Sequence, residues 1–215
     1  MQPITIKNVR LTFSALFQPN AGKDGNKKPE YQATFLLDKE KDAKQIEAIR
    51  AAMNAAAVEM WGQKMPNKLK SCLQDGNDKE TQDGRPYDGF PGNMAFKTHS
   101  QFATEVYNYD MKRLTEDSGL PYDGCYVNAV ANVYAWHHTD SGTNGVSAFL
   151  TSVQFANHGA PLKGNKFDAT SYFDVLPPPD TTAMPEATGE PFVAGKPQQQ
   201  SPPQSQGIGL PELPF

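Results

Sequence analysis

The run CYVNAVANVYAW, Cys125 to Trp136, sorts its side chains by parity. Its odd positions, Cys125, Val127, Ala129, Ala131, Val133 and Ala135, are small and apolar. The even positions are Tyr126, Asn128, Val130, Asn132, Tyr134 and Trp136. Side chains alternate across a strand, so one face suits a tight core while the other displays three rings and two amides. A solvent face normally carries Lys, Glu, Thr or Ser, and large rings standing there mark a binding surface. Rings interleaved with amides suit flat partners with polar edges, unpaired nucleobases above all, at about 1–3 kcal/mol per stacked base. A duplex, whose bases are already stacked, has no use for such a face. The bland alternative is that the helix or the long loop at 63–92 covers these rings and makes them ordinary core.

Phosphates would then need cations nearby. Lys7 and Arg10 lie on a first strand and Lys97 on a third, while Lys23, Lys27 and Lys28 crowd one turn-rich loop. Lys112 and Arg113 follow Tyr107 and Tyr109. Taken singly each is a solvated surface charge; as a group they would give salt-sensitive binding through counterion release. The net charge of −4 argues against a polyanionic partner. Its distribution softens the objection, because positions 1–176 hold 19 bases against 20 acids.

The elements that must position these residues are mostly strands. ITIKNVRLTF alternates with a phase shift near Asn8, and YQATFLLD returns as a second strand. Ile46, Ile49, Met53, Ala56 and Met60 then recur at helical steps, Asp42 and Gln45 resemble a capping pair, and Gly62 is a natural stop. A helix is predicted over 42–61. After the polar loop at 63–92, NMAFKTHSQF is a third strand; DGCYVNAVANVYAWHH and GVSAFLTSVQF form a final pair around TDSGTNG. The predicted fold is mainly β, an OB-like five-stranded barrel with one amphipathic helix over 1–176, with a β-sandwich as rival.

Other chemistries find no support. AGKDGNKKP lacks the upstream Gly and the Ser/Thr of a P-loop, and TNGVSAF is not a nucleophile elbow. His137 and His138 would point to opposite faces of a strand, which is poor chelation geometry; His99 and His158 stand apart. Asp75, Asp78, Asp83 and Asp88 share one Gly-rich loop without a rigid scaffold. PYDG occurs twice, at 86–89 and 121–124, as turn chemistry. No enzyme, metal or cofactor is expected. Cys72 and Cys125 form no C-x-x-C pair, which fits a reducing compartment, the cytoplasm. No apolar run approaches the roughly 18 residues of a membrane helix, and the alternating start does not look like a secretory signal.

Residues 177–215 hold 10 of the 18 prolines with five glutamines and four glycines, and are expected to form a disordered tail. Ile208, Leu210, Leu213 and Phe215 gather at its tip, the pattern of a short motif that offers an aromatic anchor to a partner.

Strand, Lys-bearing loop, YQATFLLDK, amphipathic helix, YVNAVANVYAW and GVSAFLTSVQF together resemble the single-stranded DNA-binding proteins of tailed bacteriophages. The likeness spans about 3–158 and the extreme C-terminus. It implies an OB fold that coats displaced strands in replication and recombination, in the cytoplasm of a bacterial host. Tyr134 and Trp136 match an aromatic pair that in this family lies at the DNA groove. Glu212, Leu213, Pro214 and Phe215 repeat the acid–aliphatic–Pro–Phe tip of the bacterial relatives, which docks on replication and repair enzymes. The tail departs from the family in being weakly acidic, with Glu212 the sole charge in its last 19 residues. The alternative is a phage structural or assembly protein whose aromatic face is a subunit interface; self-association through a sheet edge is open in either case.

Overall fold

The computed structural model describes residues 1–21 and 28–162. Among these residues eight strands and one α-helix succeed one another: β1 (Gln2–Asn20), β2 (Glu30–Asp38), α1 (Ala43–Trp61), β3 (Lys70–Ser71), β4 (Leu73–Asp75), β5 (Asn93–Ser100), β6 (Glu105–Tyr107), β7 (Tyr126–His138) and β8 (Thr143–Asn157). Antiparallel pairing runs β5–β2–β1–β7–β8, and a parallel bridge from His99 to Phe149 returns β8 to β5. Five strands therefore close on themselves. This is an OB-type barrel, and the closure excludes the sandwich.

β5 and β8 share one ladder bridge and diverge on one side of it. β3 pairs with the start of β8 and β4 with β5, so residues 70–75 fill the wall between them. The expected polar loop at 63–92 is thus corrected. It contains two short strands, and its aromatic residues Tyr87 and Phe90 pack with Leu36, Ala95 and Leu162 as a second small core on the barrel exterior.

Inside lie Ile6, Leu11, Phe35, Leu37, Phe96, Val127, Val133 and Leu150, all fully buried. At about 1.5–3 kcal/mol per large apolar side chain withdrawn from water, this interior is what holds the wall shut. The helix adds Ile46, Ile49, Ala56 and Ala57 to the same core, while Met60, expected on the inner stripe, is exposed. Asp42 and Gln45 do interact, but not as a helix cap. The Asp42 carboxylate accepts from Asp38 N–H and from Gln45 Nε2, each within hydrogen-bond distance.

Gln45 has a further task. The phase shift near Asn8 is a bulge in β1, with Ile6 opposite Ala129 and Val9 opposite Val127, and Asn8 at φ 52°. The extra residues lose their ladder partners, and buried or half-buried backbone groups need replacements. Gln45 Oε1 accepts from Lys7 N–H at 2.7 Å, Gln45 Nε2 donates to Lys7 C=O at 3.0 Å, and Asn128 Oδ1 accepts from Asn8 N–H at 2.9 Å. The bulge, the helix start and β7 are tied at one point.

Candidate nucleic-acid interface

The outer face of β7 carries Tyr126, Asn128, Val130, Asn132, Tyr134 and Trp136, each half-buried, while Cys125, Val127, Ala129, Ala131 and Val133 are buried within. At one end of this strand stand the rings of Tyr134 and Trp136. What half-buries those rings is β8 and β5. Trp136 pairs with Gly145, and its ring lies so close that a Cβ there would come within 2.5 Å of Cζ2. Its indole N–H donates to Ser147 Oγ at 2.9 Å. Tyr134, opposite Ser147, reaches across β8 so that its hydroxyl shares a 2.9 Å hydrogen bond with His99 Nε2 on β5. Both rings are anchored by their polar atoms, which fixes the ring planes before any ligand arrives. Burial, the largest influence, pushes the Tyr134 phenol above its ordinary range.

Lys97 stands on the same outer side of β5, two residues before His99. Its ammonium is held below the usual lysine range, first by desolvation and then by the charge of Lys79. Lys97 is exposed, and two cations close enough to repel one another are an arrangement an anion relieves. Lys70, exposed and paired in register with Gly145, adds a third charge beside the Trp136 seat. The start of β2 enters the same neighbourhood, since Glu30 acts on the Tyr134 phenol; exposed Lys28 lies two residues before it, whereas Lys23 and Lys27 lie outside the described residues.

The remaining expected residues do not join this cluster. Arg10 spends its guanidinium on carbonyls, donating to Ala160 O at 2.7 Å and Gly124 O at 3.3 Å. Lys7 sits at the bulge beside α1. Asn128 braces the bulge and donates to Gln154 Oε1, and Asn132 donates to Thr151 Oγ1, so both amides are engaged within the sheet. Tyr126 is at the opposite end of β7, about 33 Å from Trp136 at strand rise. Tyr109 is exposed on the turn after β6, where Gln154 Nε2 donates to its carbonyl, and Arg113 pairs with Tyr107 across that turn. The face is therefore two stations, not one row: Trp136, Tyr134, His99 and Lys97 at one end, Tyr109 with Arg113 at the other. Residues Glu212 to Phe215 lie outside the described residues.

A family model built on the single-stranded DNA-binding protein of Enterobacter phage Enc34 matches residues 2–184. The chain belongs to that family. A relative from Acyrthosiphon pisum secondary endosymbiont phage 1, protein p50, is 34% identical over 182 residues, covering 80% of this chain and 93% of the relative. The Enc34 protein solved in complex with single-stranded DNA superposes with a TM-score of 0.66 at 19% identity, over 75% of this chain and 89% of that one. Its C-terminal truncation gives 0.63 at 19%, over 74% and 87%. At such identities the Enc34 structures establish a shared fold.

Within this phage family fold, several surface residues escaped the sequence reading. His99, Lys70 and Lys79 lay in segments read as an ordinary strand or a polar loop. Phe102 and Phe149 were likewise passed over, though Phe149 alternates outward in GVSAFLTSVQF and so carried a signal. Among the described residues no group of three or more His, Cys, Asp or Glu could hold a metal ion.

Proposed function

We propose that this chain binds single-stranded DNA without sequence preference, stacking bases on Trp136 and Tyr134 while Lys97, Lys79, Lys70 and Lys28 meet the phosphates. The observation that carries this reading is an aromatic pair on the outer face of the barrel, fixed by its own hydrogen bonds and flanked by exposed Lys97. Membership of the Enc34 family supports it. So does the position on the barrel, because OB folds take oligonucleotides on the face of their second and third strands and at the connections either side. Here those are β2 and β5, the β1–β2 connection, and the β7–β8 turn. Tyr109 and Arg113 form a more distant contact, and Tyr126, Asn128, Asn132, Lys7 and Arg10 serve the sheet first.

The biological role that follows is coating of displaced strands in phage replication and recombination, in the bacterial cytoplasm. Binding only the unpaired form removes hairpins by mass action and shields strands from nucleases, with no catalysis. The tip Glu212–Phe215 recruits replication proteins.

Fluorescence anisotropy of labelled oligo(dT), set against a duplex of equal length over a range of salt, tests the reading. Binding to the single strand that weakens steeply with salt, and a much weaker duplex signal, is the expected outcome. Equal affinity for both, or none at low salt, would refute it.

A further inference from the structure

Phe102 lies just beyond β5 and is 73% exposed. Its placement is not loose. Ser100 Oγ donates to Phe102 C=O at 2.7 Å and accepts from Phe102 N–H at 3.0 Å, a side-chain clasp on the turn that carries the ring. Ser100 itself is buried, so the clasp is set by the barrel wall. The Phe102 ring meets Phe149 edge-on, with centroids 6.4 Å apart and planes at 63°.

Phe149 connects it to the site already described. It pairs with His99 on β5 and with Asn132 on β7, facing outward between them. His99 holds the Tyr134 hydroxyl and packs edge-on to its ring, at 6.2 Å and 75°. Tyr134 stands opposite Ser147, which holds Trp136. Contacts thus run without a break from Trp136 through Tyr134, His99 and Phe149 to Phe102. Of these rings Phe102 is the most exposed, and its ring contact with Phe149 is edge-on.

Resting on the proposed function, we infer that Phe102 is a further base-stacking residue, seated on Phe149, which extends the platform from the Trp136–Tyr134 pair across β8 to the end of β5. A nucleotide leaving Tyr134 would meet Phe102 before reaching the Tyr109 turn. Phe149 is the positioning residue beneath it. The substrate class is an unpaired strand of any sequence, because a ring without polar atoms reads only a base's π-face.

The test uses the full chain with labelled oligo(dT), comparing wild type, Phe102→Leu and Phe102→Tyr. Leucine keeps an apolar contact on Phe149 but has no π-face; tyrosine keeps the face. Loss of one stacked base predicts that Phe102→Leu raises Kd roughly 5- to 100-fold while Phe102→Tyr stays near wild type. Melting temperatures should coincide, because the side chain is exposed. Wild-type affinity in Phe102→Leu, or equal weakening in both variants, would overturn the inference and leave the proposed function standing. Failure of the wild type itself to bind would instead strike the functional reading.

Discussion

Trp136 owes its orientation to what Gly145 lacks. Any Cβ at that position meets the indole at 2.5 Å from Cζ2 and 2.7 Å from Cε2. Gly145→Ala should therefore displace the ring from Ser147, shift its emission and weaken DNA binding. Forcing a methyl group into an occupied seat costs about 1–3 kcal/mol, readable as a lower melting temperature. Lys97 gives a pH test. Its free ammonium titrates below the ordinary value of 10.5 because of burial and then Lys79, and a bound phosphate raises it again. Its share of affinity is complete below the free pKa and fades as pH rises through the bound one. Lys97→Arg, which does not titrate there, should keep its affinity to higher alkaline pH than wild type in the same anisotropy titration. Burial pushes the thiols of Cys72 and Cys125 up to about 11, so both should react slowly with a thiol reagent until the chain unfolds.

At the scale of elements, a two-residue period made most of the architecture legible. The parity of Cys125–Val133, the phase slip at Asn8 and the helix predicted over 42–61, found as Ala43–Trp61, all stand in the folded chain, while Ala135 is half-buried. β3, β4 and β6 did not emerge because strands of two or three residues carry no period, and long-range pairing alone defines them. The amide positions show a related limit of the two-residue period. Alternation puts Asn128 and Asn132 on the right face, but it cannot reveal that a bulge and β8 consume their hydrogen bonds. Arg10 likewise faces outward, yet carbonyls from residues 124 and 160 hold it. The bulge itself offers a test. Gln45→Ala strips both Lys7 backbone groups of their partners and should cost on the order of 1–2 kcal/mol, seen as a fall of a few degrees in melting temperature with DNA affinity kept.

For the whole molecule, the division of labour between barrel and tip is the testable idea. Deleting Leu210–Phe215 should leave DNA affinity within a few-fold and abolish capture of a replication partner; loss of both would show that the tip serves the barrel. Net charge conceals local grouping in a near-neutral body: Lys79, distant in sequence from Lys97 on β5, is brought close enough for its charge to act on Lys97. The chain has two tryptophans, Trp61 on α1 and Trp136 at the proposed interface. Replacing Trp61 by Phe leaves Trp136 as sole reporter, and poly(dT) added to that variant measures contact with the ring itself. Emission should be quenched at low salt and recover as salt is raised; unchanged emission while anisotropy shows the strand bound would contradict stacking on Trp136.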